Sequence, residues 1–284
     1  MLWTTTTEPA PAVVRAGEEE PADRLAGARG FARVVRRQYG WMLVPVELVL
    51  VFFLMQFLKT RFSIADYIFP SPVGVMGRFW RTLREGTILP DLGMTVTESL
   101  SGFAIAFAAT LLLGYGIAKW RLASRLLMPY LIAANTIPTI ALAPFLVLWL
   151  GFGLAPRIVT SVIVIFFPML ITTISALGMA EKSTRQLTAF FRPRPFARFS
   201  HFELPASLPM IASGVKVSIT LSVIGAVVGE FVSGSRGLGA LVGIAKANFD
   251  VELMFVGLLW LVILGLAYYA AASLAHRLAA RRDR

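Results

Sequence analysis

The sequence contains no cysteine, which excludes disulfides, thiolate-held metals and cysteine nucleophiles together. Histidine is nearly absent too. Only His201 and His276 occur, and neither has a close His, Asp or Glu cluster at metal-ligand spacing, so no zinc or iron site is expected. There is no Gly-Lys dipeptide. A P-loop ends in Gly-Lys-Ser or Gly-Lys-Thr, so ATP hydrolysis, if the protein depends on it, has to come from another chain. Gly-x-Ser-x-Gly and His-Glu-x-x-His are also missing, and Glu47, Glu98 and Glu230 lie scattered on different apolar stretches, which argues against an intramembrane enzyme with convergent acid, base and nucleophile. Charge is scarce throughout: 15% of the 284 residues are charged, 57% are hydrophobic, and the mean hydropathy is +0.72. That is more apolar surface than one soluble core hides, so the excess is expected to face lipid.

What is present is a series of long apolar runs. Crossing hydrocarbon takes about 20 mostly apolar residues, because backbone amides in lipid bond only within their own segment. Six stretches qualify, at 41–58, 100–120, 126–150, 157–180, 210–232 and 253–274. The expected organisation is a disordered tail over 1–40, a transmembrane domain over 41–278 and a short basic tail over 279–284. No cleaved signal is expected, since Thr4 to Thr7 and Pro9 to Pro11 precede any apolar core. The net charge of +11 follows membrane topology rather than nucleic acid. Cations cluster in the N-terminal tail, at Lys119, Arg121 and Arg125, at Lys182, Arg185, Arg192, Arg194 and Arg198, and at Arg277, Arg281, Arg282 and Arg284. The positive-inside rule therefore predicts that both termini and the 181–209 connection are cytoplasmic.

Two connections are long. In 59–99, Phe69-Pro70-Ser71-Pro72 is incompatible with regular helix, and the recurrence of Val75, Phe79 and Leu83 opposite Arg78, Arg81 and Arg84 predicts an amphipathic helix lying along the membrane. In 181–209, cations mix with Leu187, Phe190, Phe191, Phe196 and Phe199 before Leu204-Pro205. Aromatics beside arginines favour a protein partner, with burial in the headgroup region as the plainer alternative.

Further along, the residues become specific as an ordered set. Phe202-Glu203-Leu204 precedes Pro205-Ala206-Ser207-Leu208-Pro209, then come Gly214-Val215-Lys216, Gly229-Glu230-Phe231 and Ser235-Arg236-Gly237-Leu238-Gly239. Upstream lie Pro70-Ser71-Pro72, Ile137-Pro138, Ala143-Pro144, Leu148-Trp149, Gly151-Phe152-Gly153 and Phe166-Phe167-Pro168. Over about residues 65 to 275 the chain resembles the permeases of binding-protein-dependent ABC importers, in the nitrate, sulfonate and taurine group. The resemblance implies an all-α membrane protein of the type I importer permease fold with six transmembrane helices, in the bacterial inner membrane. It implies as partners a dimer of ATP-binding cassette ATPases, an extracytoplasmic solute-binding protein and a second permease copy, with ATP and magnesium on the ATPase and no cofactor on this chain. It also implies that Gln186, Leu187, Phe190, Phe191, Arg192, Phe196, Leu204 and Pro205 form the ATPase-coupling element. Here the chain departs from the family, whose loop carries Glu-Ala-Ala, three residues and then Gly. Alignment on Leu204-Pro205 puts Gln186-Leu187-Thr188 and Arg192 at those places, with Pro193 and Pro195 following.

Within the spans, Asn135, Thr136 and Thr139 flank Pro138 and either repair the carbonyls that Pro138 and Pro144 free or line a solute path. Phe166, Phe167 and Thr172 carry the same two readings. Ser218 and Ser222 either pack helices or face the path. Glu230 either braces the turn around Arg236 or contacts solute, and a proton-coupled secondary carrier using Glu230 is the rival to the importer. Gly237 and Gly239 are expected to make a tight turn. Solutes of the group include nitrate, taurine, alkylsulfonates and pyrimidine vitamin precursors.

Overall fold

The computed structural model describes residues 70–282 and, before them, Leu50, Leu54, Gln56, Phe57, Lys59, Arg61 and Phe62. The expected tail over 1–40 and most of the first expected span, 41–58, lie outside the described residues. The chain divides into Met1–Ser63 and Ile64–Arg284, and the architecture below is that of the second unit.

That unit is helical, with no strand among the described residues. Helix α1, Pro72–Arg84, starts where the proline pair predicts. The Ser71 hydroxyl caps it by accepting from the Gly74 amide at 2.8 Å, and Pro72 takes a first-turn position where no N–H is needed. Its apolar side buries Val75 and stacks Phe79 on Trp260 at 5.2 Å, while Arg78 pairs with Asp250 at 3.2 Å. Helix α2 is Leu89–Lys119, beginning at Leu89 rather than Leu100. The polar run from Thr95 to Ser101 hid its start. Those hydroxyls are satisfied inside the helix, Thr97 donating to Gly93 O at 2.8 Å and Ser99 to Thr95 O at 2.6 Å.

The next span is broken. Helices α3, Arg121–Asn135, and α4, Thr139–Leu150, meet at Pro138 with a bend of 87°. Helix α5, Leu154–Phe191, is a single rod of 38 residues, about 57 Å at 1.5 Å per residue. It runs well past the expected end near 180, because Glu, Lys, Arg and Gln in Glu181–Leu187 are good helix formers and Thr184 returns a bond to Ala180 O at 2.8 Å. A short helix α6, Pro195–Arg198, and a π-helical turn, Phe199–Glu203, lead into α7, Leu204–Ser233. The irregular connection is therefore far shorter than 181–209. Helix α8, Leu238–Ala247, and α9, Val251–Arg282, complete the chain. Among the described residues four helices, α2, α5, the continuous π turn plus α7, and α9, are long and apolar enough to cross a membrane, and the α3–α4 pair makes a fifth span if counted as one.

Helices α2, α5 and α7 pack through small residues. A Cβ on Gly102 would sit 2.5 Å from Ser161 Cβ, one on Gly114 2.7 Å from Thr173, and one on Gly225 2.5 Å from Ser161 Cα. Gly102 and Gly114 of α2 thus match Ser161 and Thr173 of α5 in parallel, whereas α7 runs antiparallel to α5, with Gly225 at Ser161 and Gly214 at Thr172. In lipid, where the apolar effect between helices is weak, such close approach supplies the dispersion contact that holds helices together. One consequence is a sorting of charge. Lys119, Arg121, Lys182, Arg185, Arg192 and Arg198 fall at one end of the bundle, hereafter the loop end, and Glu98, Arg157 and Glu230 toward the other. Gly225→Val is expected to force α5 and α7 apart and cost about 2 kcal/mol by overpacking, whereas Gly178→Ala, with open space around its Cβ, is expected to be neutral or slightly stabilising. Thermal unfolding in detergent checks both, and equal melting of the two variants would contradict the packing described.

Candidate functional site

At the loop end, the last turn of α5 buries Thr188 and turns its other face outward. Gln186 and Leu187 are exposed, and Phe190 and Phe191 are 83% and 63% exposed, their rings edge to face at 5.1 Å. Arg192 ends the helix in the left-handed conformation, φ 45° and ψ 48°, its amide donating to Thr188 O at 3.0 Å. The family's glycine position is thus a true left-handed helix stop, and arginine occupies it at a cost of about 1 kcal/mol relative to glycine. Pro193 follows, Phe196 lies in α6, and Leu204 and Pro205 continue directly from the π turn into α7. Phe191 reaches Phe202 of the π turn at 6.3 Å.

Beneath this surface, a charge cluster links the connection to α2 and α3. The Glu203 carboxylate, 3% exposed, accepts from Lys119 Nζ at 2.7 and 2.6 Å and from Arg198 Nε at 2.7 Å. Arg198 also lies 3.5 Å from Glu181, which accepts from Arg121 at 3.1 Å. None of these pairings was read from the sequence. The partners are far apart in the chain, and a Glu two residues before Pro205 carries no spacing signal.

Toward the opposite end, a second polar cluster sits inside the bundle. Arg157 Nη1 donates to Glu98 at 2.8 Å and to Arg236 O at 3.1 Å, Nη2 to Ser233 O at 3.0 Å, and Nε to the Ser233 hydroxyl at 3.3 Å. Glu230 accepts from the Thr95 hydroxyl at 2.6 Å and from the Gly239 amide at 2.5 Å. Thr95 in turn accepts from the Leu238 amide at 2.8 Å, and Asp91 from the Gly237 amide at 3.0 Å. Three successive amides at the start of α8 are thereby met by side chains from α2 and α7. Gly237, at φ 118°, turns the chain, and a Cβ there would collide with the Glu230 carboxylate. Glu98 and Glu230, scattered along the sequence, are therefore brought into one cluster with Arg157. The signal available was that each is a lone charge in an apolar span; the 59-residue separation of Glu98 and Arg157 concealed their pairing.

The remaining expected residues are distributed differently. Asn135 and Thr136 are exposed at the α3–α4 break, Thr136 donating to Ala133 O at 2.7 Å, and Thr139 is half-buried at the start of α4. Phe166 and Phe167 are half-buried and meet edge to face at 5.3 Å. Thr172 lies against Gly214, Ser218 donates to Met169 Sδ at 3.4 Å, and the Ser222 hydroxyl bonds Ile219 O at 2.6 Å, with both serines buried between helices. Among the described residues no three His, Asp or Glu side chains gather to hold a metal.

Removing Arg157 strands Glu98 in the bundle. Arg157→Met is expected to destabilise by about 3–5 kcal/mol, the cost of an uncompensated buried charge, and Glu98→Gln/Arg157→Met to regain part of that loss. Thermal melts in detergent measure both, and a wild-type melting temperature for Arg157→Met would show that the pair does not hold the helices.

Comparison with known proteins agrees with this architecture. Residues 110–282 match the family described as binding-protein-dependent transport system inner membrane component. The riboflavin transport system permease protein RibX of Chloroflexus aurantiacus is 36% identical over 238 residues, covering 84% of this chain and 89% of that protein. The formylaminopyrimidine transport permease protein ThiX of Halalkalibacterium halodurans is 28% identical, covering 81% and 91%. The putative aliphatic sulfonates transport permease protein SsuC of Escherichia coli is 28% identical, covering 84% and 89%. A chain of the MetNI methionine ABC transporter, solved in inward-facing conformations, matches the fold with a TM-score of 0.52 at 21% identity, over 67% of this chain and 93% of that one. The chain belongs to the family of binding-protein-dependent transport system inner membrane components, as the membrane-spanning permease subunit of an ATP-driven importer.

Proposed function

We propose that this permease imports a small polar heteroaromatic solute, with the loop end facing the cytoplasm and the tip of α5 docked on an ATPase. The orientation is supported by the collection of cations at the loop end, as the positive-inside rule requires of cytoplasmic segments. The C-terminal end of α9 is then cytoplasmic, and the arginines of the N-terminal tail favour the same side by the same rule. The solute class is supported by the transport names of RibX and ThiX, a flavin and a pyrimidine, and by the state of Arg157. Four of its five N–H donors go to Glu98, Ser233 and the Arg236 carbonyl inside the bundle, which leaves little of it for an anion such as a sulfonate or nitrate.

The observation that carries the docking reading is the exposure of Phe190 and Phe191 on a rod that continues unbroken into the bundle. Large aromatics left in water at the end of a rigid helix are suited to a groove on a partner. This chain binds no nucleotide of its own, and ATP with magnesium sits on the partner ATPase. Two permease copies enclose the path and a solute-binding protein delivers from outside. ATP binding draws the ATPases together, moves the docked tips and opens the path outward, and hydrolysis resets it. Energetically this is a shift between two states that the nucleotide binds unequally. Glu98, Arg157 and Glu230 take no part in chemistry.

The test is co-purification of the permease with its ATPase in detergent, comparing wild type with Phe190→Ala/Phe191→Ala. The double variant is expected to keep its melting temperature and lose ATPase affinity by roughly a hundredfold, as loss of an aromatic hot spot does. No ATPase binding by wild type, together with transport that follows a proton gradient and is abolished by Glu230→Gln, would overturn the reading.

A further inference from the structure

The loop end holds a chain of charges that the docking contact itself does not use. Lys119 is the last residue of α2 and Arg121 the first of α3, with Trp120 alone between them. Glu203 grips Lys119 with both oxygens, Arg198 bridges Glu203 to Glu181, and Glu181 holds Arg121. In order, Lys119, Glu203, Arg198, Glu181 and Arg121 form a ring that closes through the backbone of Trp120. Stacking reinforces it, since Tyr115 meets Phe199 of the π turn at 4.4 Å and Lys119 sits 5.6 Å above the Tyr115 ring.

Helices α2, α5 and α7 are already fixed by their glycine contacts and by the Glu98–Arg157 pair. What the ring fixes is the short segment 195–203, directly to Lys119 at the end of α2 and, through Glu181 of α5, to Arg121 at the start of α3. Exposed ion pairs yield easily, but the Glu203 side chain is 3% exposed and its cations replace its hydration, so it cannot let go without leaving a buried charge. A pull on 195–203 is therefore delivered to Lys119, two residues before the first residue of α3, and α3, with Pro129 inside it, leads to the 87° break at Thr136–Pro138.

We propose that Glu203 is a positioning residue for transport: with Lys119 and Arg198 it clamps the connection to the α2–α3 joint, so that displacement at the ATPase contact moves the broken span. This rests on the docking reading above.

The chain has no cysteine, so a single Thr136→Cys reports on the break without a known solute. The permease carrying Thr136→Cys is reconstituted with its ATPase, and maleimide labelling is timed with and without ATP and vanadate. In the otherwise unaltered chain, trapping is expected to change the labelling rate roughly tenfold, the mark of a shift between two states. With Lys119→Met or Glu203→Gln added, ATPase binding and ATP turnover are expected to persist while the change falls below about twofold. Lys119→Arg, which keeps the charge, is expected to restore it. Lys119→Met is made at a helix end that is one-third exposed, so it gives a result even where Glu203→Gln fails to fold. A nucleotide-dependent change that survives Lys119→Met, or that is absent before any clamp substitution, overturns the clamp while leaving docking intact. Failure of the wild-type permease to bind the ATPase overturns the docking reading instead.

Discussion

A charge or a bare amide inside a membrane has no water to turn to, so each must find its partner within the protein. The Glu98–Arg157 pair is where this constraint concentrates. Arg157 joins α5 to α2 through Glu98 and to α7 through Ser233, and the Glu230–Thr95 contact beside it secures the start of α8. The three helices that form the centre of the molecule meet along glycine and serine contacts, and this polar cluster locks the register those contacts set. Slipping α5 by one turn would separate Arg157 from both Glu98 and the carbonyls it caps.

The two ends of the bundle solve different problems with similar residue types. Near Glu230, carboxylates and hydroxyls meet amides of a tight turn, and among the described residues the one buried oxygen left without a partner there is Glu98 Oε2. At the loop end, charges meet charges across segments that are joined by a single residue or a short irregular turn. The contact is strong at Glu203, which is buried, and weaker at Arg121, two-thirds exposed. A permease needs both: a fixed end around which helices pivot and an end that follows its partner. The continuous length of α5 connects them, with Pro168 inside it as the place where such a helix bends.

Much of the fold was legible in the sequence. Apolar length marked the spans from α2 onward, Ser71-Pro72 marked the start of α1, and proline marked the α3–α4 break. Misreadings came from polar residues inside helices. Thr95 to Ser101 reads as a loop by hydropathy, yet its hydroxyls close on the preceding turn, and Glu181 to Leu187 reads as a loop because it is charged, yet charge on the surface of an emerging helix is favourable. The ordered motifs from Pro205 to Gly239 identified the family, but they gave no hint of which carboxylate meets which cation.

The sequence by itself determined that this is a multi-pass membrane protein without its own phosphate loop, because hydrophobic length and the absence of a motif are properties of consecutive residues. It did not place the helix stop at position 192, where the left-handed arginine emerges only from the backbone. Tertiary structure alone decided that Glu98, Arg157 and Glu230 share one cluster and that Glu203 closes on Lys119. Pairing between residues 59 or 84 positions apart depends on the register of packed helices. That register is set by small residues in close approach, whose effect on distant side chains is not written at either position.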